Sequence, residues 1–350
     1  METLPRIALA LAIGAAGGTL FYALNLPLPW MLGALFATMA ASLANAPILG
    51  PNRLRPAVVA VIGVLLGSRF TPDIVQQAGA WLWTVAILMG YVVTVAAVVV
   101  PFYRFAGKFD WTTAYFAGMP GGLTEMIELG EASGAKPAPI ILAHSLRIVI
   151  TIAVIALWFR IIQGQTVGST LPGPETPLTW LDAALLLASA VLGSLLGTRL
   201  RFPAPTFLGP LLVSAVIHMT GLTESAPPGL LVNAAQVLLG TVLGCRFLGI
   251  SARTVLPAAA LTLGATLLTL ALALLAGLVM GQVAGIALDQ ALLALAPGGL
   301  TEMGLIALAI HADVAFVALH HVVRILFVIV LAPVAFRLLR ARSQPANPEE

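Results

Sequence analysis

The sequence predicts an all-α polytopic membrane protein of two tandem six-segment copies, with ten to twelve transmembrane helices and a broken penultimate helix in each copy. Three observations carry that expectation. Of the 350 residues 60% are hydrophobic and 9% charged, against about 45–50% and about 25% in soluble domains. No charged residue occurs over Ile7–Asn52 (46 residues), Ile74–Tyr103 (30) or Thr254–Leu288 (35). A bilayer span needs about 20 apolar residues, so the first run holds two spans and each of the others at least one. The third observation is an internal repeat.

GMPGGLTEM (Gly118–Met126) recurs 177 residues on as LAPGGLTEM (Leu295–Met303). At that shift Gly63, Gly67, Arg69 and Phe70 meet Gly240, Gly244, Arg246 and Phe247, while His144 and Arg147 meet His321 and Arg324. Nearer the start the shift is 176, pairing Pro27, Pro29 and Gly33 with Pro203, Pro205 and Gly209. Such an offset marks a duplication.

Hydrophobic segments of the first copy (5–162) lie near 5–24, 29–48, 56–70, 80–104, 111–130 and 138–162. Those of the second (180–337) lie near 180–200, 205–222, 228–247, 254–280, 288–311 and 314–337. Residues 163–179 form a polar Pro/Gly-rich linker, and the polar tail 338–350 is expected to be disordered. Met1–Arg6 is barely basic and the apolar stretch runs on into further spans, so the N-terminus reads as the first helix rather than a signal peptide.

Parity decides whether the copies are parallel or inverted. Fifteen basic residues lie outside Arg147 and Arg324. Twelve spans place nine on the N-terminal side and six opposite; making the second segment of each copy re-entrant gives eight against seven. The positive-inside rule thus leans towards twelve spans with both termini cytoplasmic.

The candidate site lies in the fifth and eleventh segments. Pro120-Gly121-Gly122 and Pro297-Gly298-Gly299 fall mid-segment. Proline removes an amide and the glycines remove helix propensity, so both helices should unwind. Unwound backbone at membrane depth must be buried in protein or line a wet cavity. Thr124 and Thr301 are positioned to cap the second half-helices, whose dipoles favour an anion. Paired broken helices are a sequence pointer to a transporter's binding site; a packing kink is the plainer alternative. Glu125 and Glu302 follow the breaks and should be paired or protonatable. Arg147 and Arg324 are the candidate partners, with His144 and His321 three residues before them on the same helical face and His320 alongside. Purely structural ion pairs are the alternative.

Other polar residues weigh less. Glu128 and Glu131 face Leu305 and Leu308 in the other copy, and Asp110, Asp289 and Asp313 read as helix caps. His218, Asn233 and Gln236 have no match, and Arg69 and Arg246 read as interfacial anchors. The basic residues, 15 Arg and 2 Lys, never form a run, so direct nucleic-acid binding is not expected. Cys245 is the lone cysteine, excluding intrachain disulfides and thiolate cages. No HExxH, nucleotide-binding loop or nucleophile elbow occurs. No enzymatic activity, metal or cofactor is expected.

The duplicated PGGLTEM, followed by HSLRI (His144–Ile148) or HVVRI (His321–Ile325), resembles the AbrB family of bacterial integral membrane proteins. The resemblance covers essentially residues 5–337 and implies two membrane AbrB duplication domains. The soluble DNA-binding regulator sharing that name has a different, small fold. Members of the membrane family are labelled regulators of gene expression or ammonia monooxygenases. LPLPWMLGALF (Leu26–Phe36), GVLLGSRF, the broken helix and the ionisable last helix also resemble, at fold level, the cation/proton antiporter and anion transporter superfamily.

The expectation is therefore a multi-pass protein of the bacterial cytoplasmic membrane. Its leading function is gradient-driven secondary transport or export of a small anionic or zwitterionic metabolite. An indirect membrane-embedded regulator is the alternative, and a membrane monooxygenase a third reading. The expected partners are lipid and a small-molecule or ion substrate, with a homodimer left open.

Overall fold

The computed structural model describes residues 3–72, 74–162, 164 and 178–343, excluding the side chains of 74–78, 80 and 340–343. Most of the expected linker, and the tail beyond Ser343, lie outside the described residues. Among those described, regular structure is entirely helical. The first copy contributes α1 (Thr3–Ala23), α2 (Pro29–Leu43), α3 (Arg55–Gly67), α4 (Ile74–Phe105), α5 (Trp111–Gly118), α6 (Leu123–Ala132) and α7 (Pro137–Ile161). The second contributes α8 (Trp180–Arg199), α9 (Pro205–Met219), α10 (Gly229–Gly244, ending in a 3-10 turn Cys245–Phe247), α11 (Ala252–Ala284), α12 (Leu288–Leu295), α13 (Leu300–Ala309) and α14 (Val314–Ser343). Each predicted segment is found, the fifth and eleventh as two half-helices each. The expectation of a disordered tail is corrected in part: 338–343 continue α14.

Among the described residues, seven helices are long and apolar enough to cross a bilayer, and α2, α3, α9 and α13 are shorter apolar helices. Their surfaces are built for lipid. Helix α8 exposes Leu187, Val191, Leu192, Leu195 and Leu196 and buries Ser189, Gly193 and Gly197. Outward bulk and inward small residues are what helices need when lipid offers no hydrophobic drive to associate.

The chain forms two compact units, each drawn from both copies. The first comprises Met1–Trp81, Ile148–Leu256 and Gly298–Leu319; the second comprises Leu82–Arg147, Pro257–Pro297 and His320–Glu350. In the first unit, glycines set the helix approaches. A Cβ on Gly17 would strike the Gly33 backbone, and one on Gly193 would strike Gly209 and Pro210. Gly240 and Gly244 of α10 lie against Met31 and Leu35 of α2, while Gly63 and Gly67 of α3 lie against Phe207 and Leu211 of α9. Ascending numbers meet ascending numbers, so both exchanged pairs run parallel. Helix α3 begins where α10 ends: Gly50 meets Cys245, and Arg55 lies within electrostatic reach of Arg246. Helix α3 and its counterpart α10 therefore point in opposite directions.

The second unit repeats that relation. Tyr91 of α4 donates to the Thr269 carbonyl of α11 at 3.4 Å, while Phe102 meets Gly264 and Gly107 meets Leu261. Rising numbers meet falling ones, so α4 and its counterpart α11 are antiparallel. The copies are inverted.

An inverted repeat requires an odd number of crossings per copy, and the fifth segment explains the parity. The Lys136 amide donates to Thr113 Oγ1 at 3.0 Å, and a Cβ on Gly130 would touch Phe116 at 3.4 Å. Residues 113 and 136 of one straight helix would stand about 34 Å apart at about 1.5 Å per residue. The α5–α6 segment is a hairpin that enters and leaves on one side. The lean towards twelve spans is thus corrected, and the re-entrant element is the fifth segment rather than the second.

Candidate functional site

The break starts with sterics. Proline disfavours helical backbone in the residue before it, and Met119 and Ala296 accordingly turn extended (ψ 135° and 140°), ending α5 and α12. The next half-helices open at Gly122 and Gly299, which are the N-caps. Thr124 and Thr301 sit two positions on and do not cap; that expectation is corrected. Asp110 does cap α5, accepting from the Thr113 amide at 2.8 Å, and Asp313 accepts from the Ala315 and Phe316 amides at the start of α14. Burial pushes the Asp110 carboxyl up, yet the hydrogen bonds from Thr113 outweigh it and hold it below the usual carboxylate value. Asp289 lies inside the first turn of α12, whose N-cap is Ala287.

A half-helix ending at membrane depth leaves carbonyls without amides, and each costs several kcal/mol (about) if left bare there. The arginines meet that need. Arg147 donates from Nη1 to the Met119 carbonyl and from Nη2 to the Gly121 carbonyl, each at 3.0 Å. Arg324 donates from Nη1 to the carbonyls of Leu295, at 3.3 Å, and Ala296. Met119 and Ala296 are repeat counterparts, so the same contact is made twice. Tyr91 adds its hydroxyl to the Leu295 carbonyl at 3.0 Å. His144 completes the first set, its Nε2 donating to the Phe116 carbonyl at 2.9 Å while Nδ1 accepts from Arg147 at 3.0 Å. That tautomer is assigned from the acceptor at one nitrogen and the donor at the other.

The expected Glu125–Arg147 ion pair does not form among the described residues. Glu125 instead curls back over Gly122, and Glu302 over Gly299, where a Cβ would collide with the carboxylate. Both glutamates occupy the third helical position, so their charge faces the positive end of the half-helix dipole, while the arginines face the negative ends. Each break carries its own counter-charges. Glu302 is buried, Glu125 half-buried, and Arg246 lies within electrostatic reach of Glu302.

Pro120 and Pro297 line a small cavity in the second unit, together with Tyr103, Arg147, Ala265 and Thr269. Its volume of about 10 Å³ is the size that admits a single water, about 10–15 Å³. Arg147 Nε is buried without a hydrogen-bond partner. Gly121 packs against Met126 and Val328, and Gly298 against Met303. His320 meets Thr84 Oγ1 at 2.8 Å, and His321 is fully buried on α14. Glu128 and Glu131 are exposed. Gln236 is buried with Oε1 unpartnered, and His218 bridges the carbonyls of Ser214 and Ser225.

Sequence reading missed Tyr91 and Tyr103; the available signal was a tyrosine inside or closing the uncharged run of α4. Among the described residues, no group of three or more His, Cys, Asp or Glu is arranged to hold a metal ion.

A family model named AbrB, described as "Transition state regulatory protein AbrB", matches residues 30–340. The Bacillus subtilis (strain 168) protein named "Uncharacterized protein YhjN" is 26% identical, with 94% of this chain and 92% of that protein covered. The Escherichia coli (strain K12) protein named "Putative regulator AbrB" is 25% identical, with 95% and 94% covered.

Proposed function

We propose, from the premise that this chain belongs to the AbrB family, that it is a proton-coupled secondary transporter of a small anionic or zwitterionic metabolite. The observation that carries the reading is the shared cavity: two helix breaks from inverted copies converge on it beside a buried guanidinium. Inverted repeats with broken helices at one site are a recurrent basis for alternating access. At about 10 Å³ the cavity admits a water rather than a metabolite, so transport requires it to widen. Arg147 Nε supplies a free donor for a carboxylate, and Glu125 and Glu302 are the groups able to carry protons. An anion arriving at either half-helix N-terminus competes with the resident glutamate, so protonation of that glutamate favours anion entry. The chain acts without bond-making chemistry or a cofactor.

Charge supports an orientation in the bacterial cytoplasmic membrane. With α5–α6 and, by the repeat, α12–α13 as hairpins, ten crossings remain. Thirteen basic residues then share the N-terminal side: Arg6, Arg53, Arg55, Arg104, Lys108, Lys136, Arg199, Arg201, Arg246, Arg253, Arg337, Arg340 and Arg342. Only Arg69 and Arg160 fall opposite. By the positive-inside rule both termini are cytoplasmic. A second reading, an indirect regulator of gene expression, rests on the relative's printed name.

Proteoliposomes loaded with a pH-sensitive dye test the transport reading. Adding a panel of amino acids and short carboxylates under an imposed proton gradient should give saturable proton movement with at least one of them. Proton movement identical to that of empty liposomes across the panel would contradict it.

A further inference from the structure

A second cavity, of about 250 Å³, lies within the first unit, and none of the Pro-Gly-Gly residues lines it. It is formed where the chain leaves α3 and where α13 turns into α14. Arg69, Thr71, His311 and Asp313 supply its polar groups, and Leu308 and Val314 supply apolar wall. This volume suits a small metabolite, lying just under the range of about 300–1,000 Å³ typical of ligand pockets.

Asp313 caps α14, but the fold does not explain Arg69 and His311. His311 adopts a left-handed backbone (φ 57°), whereas the other copy has Gly134 (φ 84°) at the same turn. Glycine takes that conformation without strain, and a residue with a Cβ does not. The second copy therefore keeps an imidazole at a position whose backbone favours glycine, and such outliers gather at functional sites. Arg69 is exposed, while its counterpart Arg246 is half-buried within reach of Glu302. Asp313 Oδ1 is already engaged by the Ala315 and Phe316 amides, and no ion pair joins it to Arg69 among the described residues. Arg69 is also one of only two basic residues opposite the termini in the ten-crossing topology, against the prevailing charge bias.

We propose that this pocket binds a small oxyanion, carboxylate or phosphate, at the outer mouth of the second hairpin; the outward placement rests on the orientation proposed above. The Arg69 guanidinium offers a planar fork that matches an oxyanion. His311 and the Thr71 hydroxyl add donors, and Leu308 and Val314 face a short carbon body. The site would hold a substrate before it reaches the breaks.

The test uses the full chain in detergent, with succinate and inorganic phosphate as separate probes and thermal melting as the readout. At least one anion should raise the wild-type midpoint saturably, and the more effective one identifies the class. Arg69→Gln and His311→Gly should each weaken that response about tenfold or more, the equivalent of one charge-assisted hydrogen bond. His311→Gly gives the turn its favoured residue, so its ligand-free midpoint should not fall, which separates lost binding from lost folding. No response of the wild type to either anion, or wild-type affinity in both variants, would overturn the site. Sidedness is read separately, by labelling Arg69→Cys in a Cys245→Ser background with an impermeant maleimide on intact cells. Labelling only after permeabilisation, alongside a saturable anion response of the wild type, would overturn the orientation while the pocket assignment stands.

Discussion

Replacing Arg147 with Gln should abolish coupled flux, lowering it at least about a hundredfold, and should also lower the melting temperature. The guanidinium satisfies two carbonyls at the tip of the α5–α6 hairpin and orients His144. Leaving both carbonyls bare costs about 2–6 kcal/mol at about 1–3 kcal/mol each. The Phe116–His144 contact then loses the donor that fixes its tautomer. A lysine retains charge but presents one point rather than a fork, so Arg147→Lys should recover much of the melting temperature and little of the flux. Detergent melts and proteoliposome flux on the same preparations separate the two effects. Equal recovery of both would reduce Arg147 to a structural clamp.

Glu302→Gln should lose proton coupling with the fold intact. The side chains are nearly isosteric, so the amide keeps its place over Gly299. What disappears is the charge facing the α13 dipole and the capacity to carry a proton. Glu302 is 8% exposed and Glu125 half-buried, so the larger effect belongs at Glu302. There proton movement should fall about tenfold or more, while uncoupled exchange of substrate for substrate persists. A normal pH response in both Glu302→Gln and Glu125→Gln would remove the glutamates from coupling.

Much of this was legible in the chain. Hydropathy located every segment, and Pro-Gly-Gly located both breaks, because proline and glycine act on the backbone where they stand. Direction was not legible. The fifth segment is long enough to cross or to fold back, and what makes it fold back is a contact between Thr113 and Lys136, 23 residues apart. The arginine partners were hidden for a related reason. Charge and spacing suggest Glu125 for Arg147, but the acceptors are backbone carbonyls at Met119 and Gly121, and every residue carries a carbonyl. The caps fell two positions before the nearest threonines, since an extended glycine starts each half-helix and leaves room for the glutamate to curl back.

In the proposed topology the inverted copies open their hairpins to opposite sides of the membrane. Single cysteines at Lys136 and Ala287, exposed positions at the bases of the first and second hairpins, read this directly in a Cys245→Ser background. With an impermeant maleimide on intact cells, Ala287→Cys should label at once and Lys136→Cys only after permeabilisation. Labelling of both from the same face would make the copies parallel and contradict the account.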